Sequence, residues 1–91
     1  MKLSVSKKDK ISEQILAFLY STSPKPEFTS HIASEVARDD EFVRIILNDL
    51  KKKGLVNEIR KNPLGKDYVR RSRWILSDQA YKAYKDKQQS F

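Results

Sequence analysis

The 91-residue chain has room for one domain, spanning 1–91, and little room for a catalytic cleft beside its core. With 38% hydrophobic and 34% charged residues it is too apolar to be a disordered chain. It has no cysteine, which excludes a disulfide framework and a thiolate metal site. The net charge of +7 is unevenly spread. Residues 1–30 carry five lysines against three acids, residues 31–50 two arginines against five acids, and residues 51–91 twelve cations against four acids. Basic charge gathered in one half presents a positive face to a polyanion. The apolar run Ile15 to Tyr20 is too short to span a bilayer, and no small-residue cleavage pattern follows the first lysines. These features predict a soluble cytoplasmic protein with no membrane association.

In chain order, a first helix is predicted over about Lys7 to Ser21. Ile11, Ile15, Phe18 and Leu19 form one stripe, and Ser6 with Asp9 caps the start. Pro24 and Pro26 break the chain into a loop over Ser21 to Glu27. A short second helix follows, capped by Thr29 or Ser30, with Ile32, Ala33 and Val36 inward and an end near Arg38. Asp39 caps a third helix over Asp40 to about Lys53, with Val43, Ile46, Leu47 and Leu50 inward and Gly54 as its stop. Two helices joined so tightly must cross steeply, as in a helix-turn-helix.

Beyond Gly54 the period shifts from helical to alternating. Leu55 to Lys61 is predicted as a strand, residues 62–67 as a turn, and Tyr68 to Leu76 as the returning strand. Ser77 then caps a last helix to about Lys87, with Ala80, Ala83 and Tyr84 on its apolar side. The predicted class is α+β, mostly α: a winged helix-turn-helix with a three-helix core, a β-hairpin wing and a C-terminal helix.

The stretch Val43-Arg44-Ile45-Ile46-Leu47-Asn48-Asp49-Leu50-Lys51-Lys52-Lys53-Gly54-Leu55-Val56 resembles the recognition helix and first wing strand of MarR-like and related winged-helix regulators. Trp74-Ile75-Leu76-Ser77 is similar to their aromatic-x-Leu-Thr signature at the end of the wing, and Ile32-Ala33 to a Leu-Ala pair in their second helix. The resemblance covers about residues 8–87. It implies double-stranded DNA as partner, a homodimer, and association with the nucleoid if the source is prokaryotic. Two features depart from the pattern. The corner is Ala37-Arg38-Asp39, where the family often has glycine, and the recognition helix opens on Asp39-Asp40-Glu41-Phe42 rather than on Ser, Thr, Arg or Gln.

The densest chemical signal lies in the wing. Arg60, Lys61, Lys66, Arg70, Arg71 and Arg73 face a single acid, Asp67, in residues 60–73. On an extended hairpin Arg71 and Arg73 share a face and Arg70 takes the other, so the wing is expected to follow the phosphate backbone or enter a minor groove. Six cations exceed what protection of a sheet edge requires. On the recognition helix, Arg44 and Asn48 are i, i+4 neighbours off the apolar stripe, suited to guanine and adenine edges. Lys51, Lys52 and Lys53 lie at the helix C-terminus, where cations favour the helix dipole as much as they suit a nucleic-acid contact. His31, the only histidine, is expected at the surface, and Trp74 in the core. Tyr81 and Tyr84 fit either a core or a partner-facing surface.

For catalysis the inventory is poor: one histidine, two glycines and no phosphate-binding loop. Asp39, Asp40 and Glu41 are consecutive, so their carboxylates fan around a helix start and do not converge. No enzyme and no cofactor is expected. Two readings stay open: a sequence-specific DNA-binding transcription regulator, or a winged-helix module that docks proteins in a larger assembly.

Overall fold

The computed structural model describes the backbone of residues 5–60 and 72–89. Their elements run α1 (Val5–Thr22), β1 (Glu27–Phe28), α2 (Thr29–Glu35), α3 (Asp40–Lys52), β2 (Val56–Ile59), β3 (Arg73–Leu76) and α4 (Asp78–Gln89). The three strands form one antiparallel sheet in the order β1-β3-β2. This is the winged helix-turn-helix architecture that the alternating and helical periods predict.

The helical stripes become a single core. Ile11, Ile15 and Leu19 of α1 meet Ile32 and Ala33 of α2, and Val43, Ile46, Leu47 and Leu50 of α3. Val56, Trp74, Leu76 and Ala80 close it from the sheet and α4, with Phe18, Val36 and Phe42 partly buried around them. At seven residues, α2 is too short to hold as an isolated helix, so burial of Ile32 and Ala33 must stabilise it. A large aliphatic side chain such as Ile32 contributes roughly 1.5–3 kcal/mol when fully buried.

Several local expectations need correction. Ser6 lies inside α1, not at its cap. Neither Thr29 nor Ser30 caps α2: the N-cap is Phe28, which has no capping side chain. Thr29 is buried instead, and its hydroxyl serves another element. The loop between the prolines and α2 contains β1, whose Glu27 pairs with Trp74 and Phe28 with Arg73. Ala83 is exposed on α4, while Ala80 is buried. The α2 helix also stops at Glu35, three residues short of Arg38.

At the starts of α3 and α4 the expected caps are present. Asp39 Oδ2 accepts from the backbone N–H of Glu41 at 3.1 Å and of Phe42 at 3.4 Å. Ser77 Oγ accepts from the N–H of Ala80 at 3.1 Å. Gly54 has φ +76, the left-handed conformation in which glycine ends a helix without strain.

Opposite residues in an antiparallel sheet share a face. Val56 with Leu76 and Glu58 with Trp74 therefore face the helices, while Asn57 with Ile75 and Ile59 with Arg73 lie on the outer face. Glu27, on the inner face beside Trp74, is only 4% exposed and bonds His31 Nδ1 one turn into α2. His31 itself is exposed, as expected, and edges onto the Phe18 ring. Tyr20 of α1 lies against Tyr81 and Tyr84 of α4, with ring centroids 5.2 and 5.6 Å apart. Burial of Tyr84, with Glu13 near it, pushes its phenol above the ordinary tyrosine range.

Candidate nucleic-acid interface

The angle between α2 and α3 is set by residues 36–39. Ala37 adopts φ 55, a left-handed turn in which a Cβ normally crowds the following carbonyl. The turn lets the N–H of Arg38 reach the carbonyl of Ala33 at 3.0 Å, which closes the end of α2. Asp39 then starts α3 in a new direction. Alanine thus takes here a conformation that ordinarily favours glycine.

With its apolar stripe fixed inward, α3 has one outer face. At 3.6 residues per turn, Glu41, Ile45, Asn48 and Lys52 follow one another along the side opposite Val43, Ile46, Leu47 and Leu50. All four are exposed. Arg44, also exposed, sits off this line on the flank it shares with Lys51. Lys51 Nζ bonds Glu58 Oε1 at 2.9 Å, so that flank borders β2. The other flank borders α1, through Lys8 Nζ and Asp49 Oδ2 at 3.4 Å. The helix is thus pinned on both sides while its outer face stays open. Among the described residues, nothing in the fold engages Arg44, Asn48 or Lys52 in an ion pair or side-chain hydrogen bond.

Glu58 is the hinge between α3 and the wing. Its carboxylate takes the Lys51 ammonium on one oxygen and the Ser72 hydroxyl on the other, which links α3, β2 and the approach to β3. Burial pushes this carboxyl up. The hydrogen bonds from Ser72 and Lys51, with the charges of Lys51 and Arg60, outweigh burial and hold it below the ordinary glutamate range.

The polar residues expected at the interface divide into three groups. Arg44 and Asn48 stand together on α3, and Arg60 is exposed immediately after β2. Arg73 is half-buried on the central strand, on the sheet's outer face, opposite Phe28 on one side and Ile59 on the other. Lys61, Lys66, Arg70 and Arg71 lie outside the described residues. Ile45 is the outer-face residue that sequence reasoning missed. Its signal is present in Ile45-Ile46-Leu47, three consecutive large apolar residues where an amphipathic helix can bury only some. Among the described residues, no group of three or more His, Cys, Asp or Glu side chains could hold a metal ion. No described helix is long and apolar enough to cross a membrane.

No family model matches the chain, and no curated protein matches it. Solved structures do. A single-residue mutant of MepR from a multidrug-resistant S. aureus clinical isolate is 20% identical, with a TM-score of 0.72 over 90% of this chain and 56% of that one. S. aureus MepR in complex with DNA is 19% identical, with a TM-score of 0.70 over 94% of this chain and 73% of that one. The PcaV transcriptional regulator of Streptomyces coelicolor, with its natural ligand, is 19% identical, with a TM-score of 0.64 over 81% and 48%. The chain spans about half the length of PcaV and of the MepR mutant. At these identities the likeness is one of fold, and the fold is the winged helix-turn-helix that the MarR resemblance implies.

Proposed function

We propose that this chain binds double-stranded DNA as a transcription regulator, working as a homodimer in the cytoplasm. In this reading α3 enters the major groove, Arg44 and Asn48 meet base edges, and Arg60 with the rest of the basic wing (Lys61, Lys66, Arg70, Arg71 and Arg73) follows the flanking backbone or minor groove. The observation that carries it is the outer face of α3. It bears Asn48 and Lys52, with Arg44 on its flank, and none of the three has an ion pair or side-chain hydrogen bond among the described residues, on a helix bordered at both flanks and capped by Asp39. A capped helix whose outer face is open and mostly polar is suited to insertion in a groove. The solved MepR–DNA complex, on the same fold, supports the assignment. Two copies would read half-sites about 34–36 Å apart, one helical turn of duplex.

The test is a titration with duplex DNA across salt concentrations. With roughly four to six phosphates neutralised, log affinity should fall against log salt with a slope of about −4 to −5. Absence of binding at low salt, or a slope near zero, would sink the reading. One observation favours a protein-docking module instead. Asp40 and Glu41 are exposed in the first turn of α3, where a basic protein surface would suit them better than phosphate does.

A further inference from the structure

Ile45 stands at the middle of the outer stripe of α3, between Glu41 one turn before it and Asn48 one turn after. It is 51% exposed and belongs neither to the core nor to the partly buried residues packed on it. Its place is not explained by the fold. A β-branched residue lowers helix propensity relative to the lysine, glutamine or alanine that an exposed helix position ordinarily carries. Half of its surface gains nothing from burial in this chain. A single exposed hydrophobic residue is common on protein surfaces, but this one sits at the middle of the open face of α3, where any surface that meets the helix would cover it.

We propose that Ile45 reads the C5-methyl group of thymine in the major groove, an inference that rests on the DNA-binding reading above. Thymine is the base that presents an apolar group in that groove, and an aliphatic side chain meets it by contact rather than by hydrogen bonding. The neighbours fit. Asn48 suits an adenine edge, and each adenine is paired with a thymine whose methyl lies in the same groove. Ile45 and Asn48 are i, i+3 neighbours, with Cβ atoms about 5–6 Å apart, so one base step accommodates both. Arg44, on the flank toward the wing, reaches a different base pair. The helix then discriminates by three chemistries: a fork for guanine, an amide for adenine and a methyl contact for thymine.

The probe is the tightest duplex selected from a randomised pool, together with a series in which each thymine in turn is replaced by deoxyuridine. This replacement removes only the methyl group. At one or two positions the wild-type protein should lose affinity by about three- to fivefold, the worth of one buried methyl. Ile45→Ala should bind the thymine and uracil versions equally, while Ile45→Val keeps most of the preference. Circular dichroism checks that both variants fold, and the uracil series on the wild type stands without either. Indifference of the wild type to every uracil overturns the proposal while leaving DNA binding intact. Uracil sensitivity that persists in Ile45→Ala overturns it too, as does a change in oligomeric state on that substitution without loss of methyl discrimination. Failure to select any duplex overturns the DNA-binding reading and this inference with it.

Discussion

The indole Nε1 of Trp74 donates a hydrogen bond to Oγ1 of Thr29 at 2.8 Å, joining the central strand of the wing to the first residue of α2. Trp74 is 1% exposed and Thr29 is buried, so water cannot replace the hydroxyl. Thr29→Val keeps the shape and leaves a buried N–H unpaired, which should cost about 1–3 kcal/mol in urea unfolding. Thr29→Ser keeps the acceptor and should cost clearly less. In a cycle with Trp74→Phe, the two substitutions together should cost less than the sum of each alone. A loss for Thr29→Val no larger than that for Thr29→Ser would mean that the hydroxyl contributes no more to stability there than the methyl group does.

The left-handed Ala37 gives a second test. Its conformation costs a Cβ-bearing residue about 1–2 kcal/mol, while glycine gives up roughly 0.5–1 kcal/mol through its freer unfolded chain. Ala37→Gly should therefore stabilise the protein by up to about 1 kcal/mol, seen as a higher thermal midpoint. Ala37→Val should destabilise it, because a β-branched residue fits this region worse still. A glycine variant less stable than the parent would mean that the corner is not strained.

These two sites mark the limit of what the sequence discloses. The stripes of α1 and α3, the carboxylate at Asp39 and the stop at Gly54 are local patterns, legible because each repeats or punctuates a helical period. Thr29 looks like a cap because hydroxyls before apolar runs usually are caps; its true partner is 45 residues away and leaves no trace nearby. The two-residue β1 strand has no period of its own. On the outer face of α3, Arg44 and Asn48 are legible as polar residues off the stripe. Ile45 is legible only through the run Ile45-Ile46-Leu47, since hydrophobicity alone ordinarily assigns a residue to the core.

Glu58 predicts an acid dependence. Its folded carboxyl titrates below the ordinary 4.5, so folding gains from it above that value and loses the gain as pH falls through the lowered one. Glu58→Gln should cost about 1 kcal/mol at neutral pH, discounted because Lys51 is half exposed. Well below pH 4.5 the variant and parent should converge. A difference independent of pH would assign the cost to packing and not to charge.

Wing and helix should separate in binding. Arg60→Ala with Arg71→Ala should weaken all duplexes alike and flatten the salt slope by about 0.9 for each phosphate no longer neutralised. Arg73 is avoided here because it is half-buried on the central strand, and truncating it disturbs the sheet as well. Arg44→Ala or Asn48→Ala should instead cost about 1–3 kcal/mol on the preferred site and little on random duplex. If the wing pair changes sequence preference while the helix substitutions change nothing, the docking is reversed.

The acidic start of α3 decides between the two functional readings. Asp39 has a structural task, since its carboxylate takes two backbone N–H groups; Asp39→Ala should cost about 1 kcal/mol of stability. Asp40 and Glu41 have no such capping role. They are exposed, and their interaction with the helix dipole is worth only a few tenths to about 1 kcal/mol each. If α3 enters the groove, Glu41 heads the stripe that continues through Ile45 and Asn48 and must approach phosphate or base. There a carboxylate repels non-cognate duplex, or accepts from a cytosine amino group where the sequence provides one. Asp40→Asn with Glu41→Gln should therefore tighten binding to random duplex and narrow the gap between preferred and random sites. The same measurement on Asp39→Asn, which keeps an acceptor at the cap, separates loss of charge near DNA from loss of helix. Should the double substitution leave both affinities unchanged, this end of α3 does not face DNA. The acidic turn is then the docking point for a basic protein surface, and a partner, not a duplex, is the ligand of the helix.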